Sequence, residues 1–142
     1  MTDVSNQPPF VRAILGWPAT WFLARLALIS AYLIGGVSKL GDWPSAVAEQ
    51  VHFGVHPPEL TAALTIFVEI VGSALILSGR LVWLAAGGMG VFTLLTALIA
   101  SPFWTMQGQA RFIAINDFFE HLGLVAAFVM VAMIAGQRRA DV

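Results

Sequence analysis

A carboxylate inside an apolar run is the most chemically loaded feature of this sequence. Glu69 stands in the stretch Leu60 to Ser78, and Thr61, Thr65, Glu69 and Ser73 recur every four residues with Gly72 alongside, so a helix there carries a polar, close-packing stripe. A second stripe precedes it. Arg25, Tyr32 and Lys39 recur every seven residues, nearly on one side of a helix, with Gly36 between the last two. A third group combines Lys39 and Asp42 with Asn116, Asp117, Glu120 and His121 further along. Cations and hydroxyls in an apolar surrounding donate hydrogen bonds, and carboxylates carry protons. Histidine, with an unperturbed pKa of ~6.5, changes charge near neutrality, which makes His121 a candidate proton acceptor.

The elements that position these groups follow from composition. Of 142 residues, 58% are hydrophobic and 11% charged, against roughly 25% charged in soluble domains, and a chain this short has too little interior to hide so much apolar surface from water. The solvent for most of it is lipid. Crossing a hydrocarbon core takes about 20 helical residues, and four stretches qualify: Ala19 to Val37, Leu60 to Ser78, Leu81 to Phe103, and Phe118 to Gly136. The predicted fold is an all-α integral membrane four-helix bundle over 19–136, between an N-terminal segment 1–18 and a tail 137–142. Gly79-Arg80 forces the second and third spans into an antiparallel hairpin. Between the first and second spans, Trp43-Pro44 and Pro57-Pro58 bracket Ser45 to Phe53, read as a short interfacial helix, with a plain loop as the alternative.

Charge at the span ends orients the bundle. Arg12, Arg80, Arg138 and Arg139 fall on one side and Lys39 and Arg111 on the other, which predicts that both termini are cytoplasmic. No basic leader with a small-residue cleavage site is evident, so the first span is expected to remain as an anchor. A net charge of -1 gives no field for nucleic acid. Zero cysteines exclude a disulfide, a thiol redox pair, a cysteine-held iron–sulfur cluster and covalent haem from this chain.

An ionised Glu69 at mid-span costs ~2.5 kcal/mol or more facing lipid, so it is expected to face inward and to have a partner or a proton. With the span ends level, Arg25 and Glu69 differ in depth by ~6 Å, within reach of an arginine, and Arg25 is the expected partner. That pair reads equally as a register pin or as part of a site. A pocket is expected toward the outer leaflet, lined by Lys39, Glu120, His121 and Trp104, with Arg25, Tyr32 and Glu69 deeper. The competing reading is a water-facing salt cluster, in which Asn116 or Asp117 caps the fourth helix. His52 and His56 are four apart, but Gly54 and Pro57-Pro58 interrupt them and no metal site is predicted. The first three spans contain no histidine, so no bound haem is predicted. The five tryptophans lie near span ends, as an aromatic belt does. Gly87, Gly88 and Gly90 give the third span a small-residue face for packing within the bundle or between copies.

Arg25 ahead of Gly36-x-x-Lys39-Leu40, then Glu69-x-x-Gly72 leading to Gly79-Arg80, then Phe103-Trp104 followed by Asn116 to Leu122, together resemble the DoxX family of small four-helix bacterial membrane proteins. The resemblance covers about Phe22 to Ala132, with Pro102 standing where the family often has a histidine. It implies a bacterial inner-membrane component of a redox system, with relatives in thiosulfate:quinone oxidoreductase. It further implies a dissociable quinone as cofactor and a partner redox protein or larger complex as electron source. In such a site Arg25, Tyr32 and Lys39 would donate to ring oxygens, Glu69, Glu120 or His121 would move protons, and Trp104 or Phe103 would stack on the ring. A non-catalytic membrane scaffold is the alternative. A solute transporter is less favoured, because four spans show no inverted repeat or broken helix.

Overall fold

Prolines start most of the helices and one glycine divides the central hairpin. The computed structural model describes residues 7–140, with side chains through Arg138; expectations for residues 1–6, for 141–142 and for the side chain of Arg139 lie outside the described residues. Helix α1 (Pro9–Gly16) and helix α2 (Pro18–Gly41) meet at an elbow, Trp17-Pro18, where the Thr20 hydroxyl donates to the Ile14 carbonyl at 2.6 Å. Proline at the first helical position costs no hydrogen bond, because that N–H has no intrahelical partner in any case. Helix α3 (Trp43–His52) follows at once, and helix α4 (Pro58–Ser78) starts on the second of two prolines.

Asp42 starts α3. Its carboxylate accepts from the Ser45 hydroxyl at 2.7 Å and from the Ser45 N–H at 3.2 Å, and these bonds hold its carboxyl below the usual carboxylate range. A lowered pKa means that this cap is intact above the ordinary value of about 3.9 and is lost only as pH falls through the lower folded value.

Gly79, at φ +75°, ends α4 in the left-handed conformation; its N–H donates to Ile76 O, and the Arg80 N–H donates to Leu75 O. Leu81, also left-handed at φ 50°, leads into helix α5 (Val82–Ala100). A 3-10 turn, Phe103–Thr105, then precedes helix α6 (Gly108–Ala140).

Among the described residues, four helical segments are long and apolar enough to cross a membrane: 18–41, 58–78, 82–105 and 108–138. The protein is an all-α membrane bundle in which α2, α4, α5 and α6 alternate in direction, with α3 lying across one end. We call that the α3 end and the opposite one the hairpin end. Closed helices leave no backbone group unpaired in lipid, and exposed Leu23, Ile34, Phe67, Leu84 and Val129 supply the apolar exterior.

The short helix expected over 45–53 forms as α3, and its Ala46 packs with Ala62 and Ile66 of α4 as a small core of its own. One boundary differs from the sequence expectation. The last helix starts at Gly108, ten residues before Phe118, because no proline or glycine interrupts the chain between Gly108 and Phe118. Asn116 and Asp117 therefore sit in the third turn of α6 and cap nothing.

Lipid gives little apolar drive between helices, so close approach has to hold them together. A Cβ on Gly36 would lie 2.8 Å from Ile70 Cγ1 and 3.0 Å from Glu69 Cβ, and one on Gly72 would lie 2.7 Å from Met89 Sδ. These glycines mark the α2/α4 and α4/α5 crossings. Gly90 faces Phe128 inside the bundle, whereas Gly87 and Gly88 meet nothing and are exposed. The main core, Ile29, Tyr32, Ile76, Met89 and Phe128, fills the hairpin end. Between it and the small core under α3 lies a cavity.

Candidate functional site

Antiparallel packing of α2 on α4 sets which charges meet. Gly36 lies against Glu69, so Lys39, one turn further along α2, reaches the Glu69 carboxylate: its Nζ is 3.3 Å from Oε1 and 3.4 Å from Oε2. Glu49 of α3 stands 3.8 Å from the same ammonium. The two glutamates differ in setting. The Glu69 side chain is 8% exposed and that of Glu49 is 44% exposed, so Lys39 bridges a buried carboxylate and one at the surface.

Arg25 is not the partner of Glu69. Its Nη1 donates to Ile76 O at 2.7 Å, and the guanidinium lies over the Trp21 ring at 4.9 Å. The ends of the two helices are not level, as the depth estimate assumed. Arg25 stands beside the last turn of α4, while Glu69 is level with Gly36, about 16 Å further along α2 at 1.5 Å per residue. Arg25 binds a C-terminal carbonyl of α4, where a cation is favoured by the helix dipole.

The cavity, of about 530 Å³, is lined by Tyr32, Gly35 and Lys39 of α2, Glu49 and Gln50 of α3, Thr65 and Glu69 of α4, Thr93 and Thr96 of α5, and His121 and Leu124 of α6. Its apolar wall includes Leu64, Leu95 and Ile99, which are themselves exposed on the lipid side of their helices. A ligand can therefore reach it sideways from the bilayer.

Heights within the cavity follow from two ring contacts and helix spacing. Tyr32 meets Phe128 edge-on at 5.5 Å between centroids. Lys39 lies seven residues after Tyr32 and His121 seven before Phe128, on helices running in opposite directions. Both therefore stand ~10 Å nearer the α3 end.

Of the residues singled out in the sequence, the structure brings Tyr32, Lys39, Glu69 and His121 to one cavity. It does not bring in Arg25, Glu120 or Trp104. Glu120 is exposed, and Trp104 packs edge-on to Phe103 and Phe118 at the α3 end of the bundle while remaining 55% exposed. Sequence reasoning missed Glu49, Gln50, Thr93 and Thr96. The threonines left a signal, being the only polar side chains in the span Val82 to Ala100.

Comparison with known proteins agrees with this architecture. The inner membrane protein YphA of Escherichia coli (strain K12) is 26% identical over 116 residues, covering 82% of this chain and 83% of the relative. No solved structure matches. The DoxX family profile matches residues 20–102, more than half the chain, from the first turn of α2 through the end of α5, and the chain belongs to the DoxX family.

Proposed function

We propose that this protein is a quinone-interacting subunit of a membrane redox system, with the cavity as the quinone site. The observation that carries this reading is one cavity with apolar walls and lipid-side access, lined by an ammonium–carboxylate pair and an imidazole. A quinone needs a slot for ring and tail together with polar groups at its oxygens. The residues that supply those groups are Lys39, Glu69, His121 and Tyr32. Electrons come from a bound substrate or a partner protein, since this chain has no cysteine to carry them. The named relative and the arginine bias support residence in a bacterial inner membrane with both termini cytoplasmic.

Protein purified from a quinone-producing host should carry quinone in its organic extract at near-stoichiometric amounts, and Glu69→Gln with His121→Gln should reduce that yield. Extract from correctly folded protein that contains no quinone above the level in co-purified lipid favours a scaffold instead. Topology is separately testable. A C-terminal alkaline phosphatase fusion should be inactive and a C-terminal fluorescent-protein fusion bright; the reverse pattern overturns the orientation.

A further inference from the structure

The hydrogen bonds around the cavity have a direction. Thr93 Oγ1 donates to Met89 O at 2.7 Å, so its single proton is committed, and in the 2.7 Å contact with Tyr32 it is the tyrosine hydroxyl that donates. Both protons are then spent, and Tyr32 and Thr93 have only lone pairs left for a ligand. Thr96 is in the same position, donating to Phe92 O at 2.9 Å.

His121 follows the same logic. Its Nδ1 lies 2.6 Å from Asp117 O, a carbonyl that can only accept, so Nδ1 carries the proton and Nε2 of the neutral ring is an acceptor. The α5 and α6 walls and the floor of the cavity therefore offer acceptors. Nearer the α3 end, α2 offers a cation, Lys39, while Gln50 and Thr65 both donate and accept and so discriminate nothing.

We infer that the cavity selects the reduced, hydroxyl-bearing form of its ring ligand, the quinol, over the quinone. This rests on the quinone-site reading above and adds the redox state to it. A quinol donates through one hydroxyl to Tyr32 or His121 while its other oxygen accepts from Lys39. A quinone can only accept; it satisfies Lys39 and sets its second carbonyl against lone pairs, where a buried polar group goes unpaired. The expected preference for quinol is about tenfold or more, and tenfold tighter binding of the reduced form raises the two-electron potential of the bound couple by about 30 mV.

The test is anaerobic titration calorimetry of the full chain in nanodiscs, with a short-tailed benzoquinone and the corresponding quinol as probes and empty nanodiscs subtracted. Quinol should bind at least about tenfold more tightly. Tyr32→Phe combined with His121→Phe, checked for an unchanged helical spectrum, should weaken quinol binding and leave quinone binding nearly as it was. Equal affinities, or tighter quinone binding, overturn the inference while the quinone site stands. A quinol preference that survives in the folded double variant also overturns it, because the selecting groups are then not these. Binding of neither probe overturns both readings.

Discussion

Lys39→Met should lower the unfolding midpoint of the detergent-solubilised protein by an amount corresponding to roughly 3 kcal/mol, the low end of the range for breaking a buried ion pair. The reason is what stays behind. Glu69 would keep its place against Gly36 with no cation in reach, and it must then hold an uncompensated charge or take up a proton. The low end applies because Lys39 itself is 18% exposed. Lys39→Met combined with Glu69→Met should recover most of the loss, since apolar replacement of a whole buried pair is often neutral or better. Glu49→Gln should cost under ~1 kcal/mol, its carboxylate being farther away and partly solvated. Thermal unfolding of the three variants and the parent protein in one detergent checks the set. A double variant no more stable than Lys39→Met would show that the two side chains are not energetically coupled.

The same pair shows how far the sequence could be read. That Glu69 faces inward and needs a cation followed from the cost of charge in lipid, and that the cation comes from the stripe of α2 followed from the seven-residue spacing. Which of the two cations it is depended on the relative height of the helices. Sequence length cannot supply that, because the register is set by the seating of Gly36 against Ile70 and Glu69. An offset of ~10 Å, about a third of a helix length, exchanged Arg25 for Lys39. Glu49 was hidden for a different reason: its segment was legible only as helix or loop, and its place beside Lys39 exists only once α3 folds across the bundle end and Ala46 packs with Ala62 and Ile66. The start of α6 was misplaced because hydropathy marks where a helix enters lipid, and a polar first turn such as Gly108 to Arg111 continues the helix without that signal.

Gly36 should accordingly be far less tolerant than Gly88, although both are glycines in spanning helices and the sequence gives each a small-residue neighbourhood. In Gly36→Ala the new methyl would meet Ile70 Cγ1 at 2.8 Å, which a rotamer change can relieve, and Glu69 Cβ at 3.0 Å, which is fixed to the α4 backbone. The helices must part to admit it, at a cost of ~1–3 kcal/mol for overpacking, against at most ~1 kcal/mol returned by alanine's helix propensity. Parting α2 from α4 also moves Lys39 relative to Glu69, so the loss includes some of the ion pair. In Gly88→Ala nothing lies within 4 Å of the methyl, and the propensity gain of up to ~1 kcal/mol is unopposed. Opposite shifts in unfolding midpoint are therefore expected from one and the same substitution. Equal midpoints for the two variants would mean that α2 and α4 do not cross at Gly36, and the placement of Glu69 beside Lys39 would fall with that crossing.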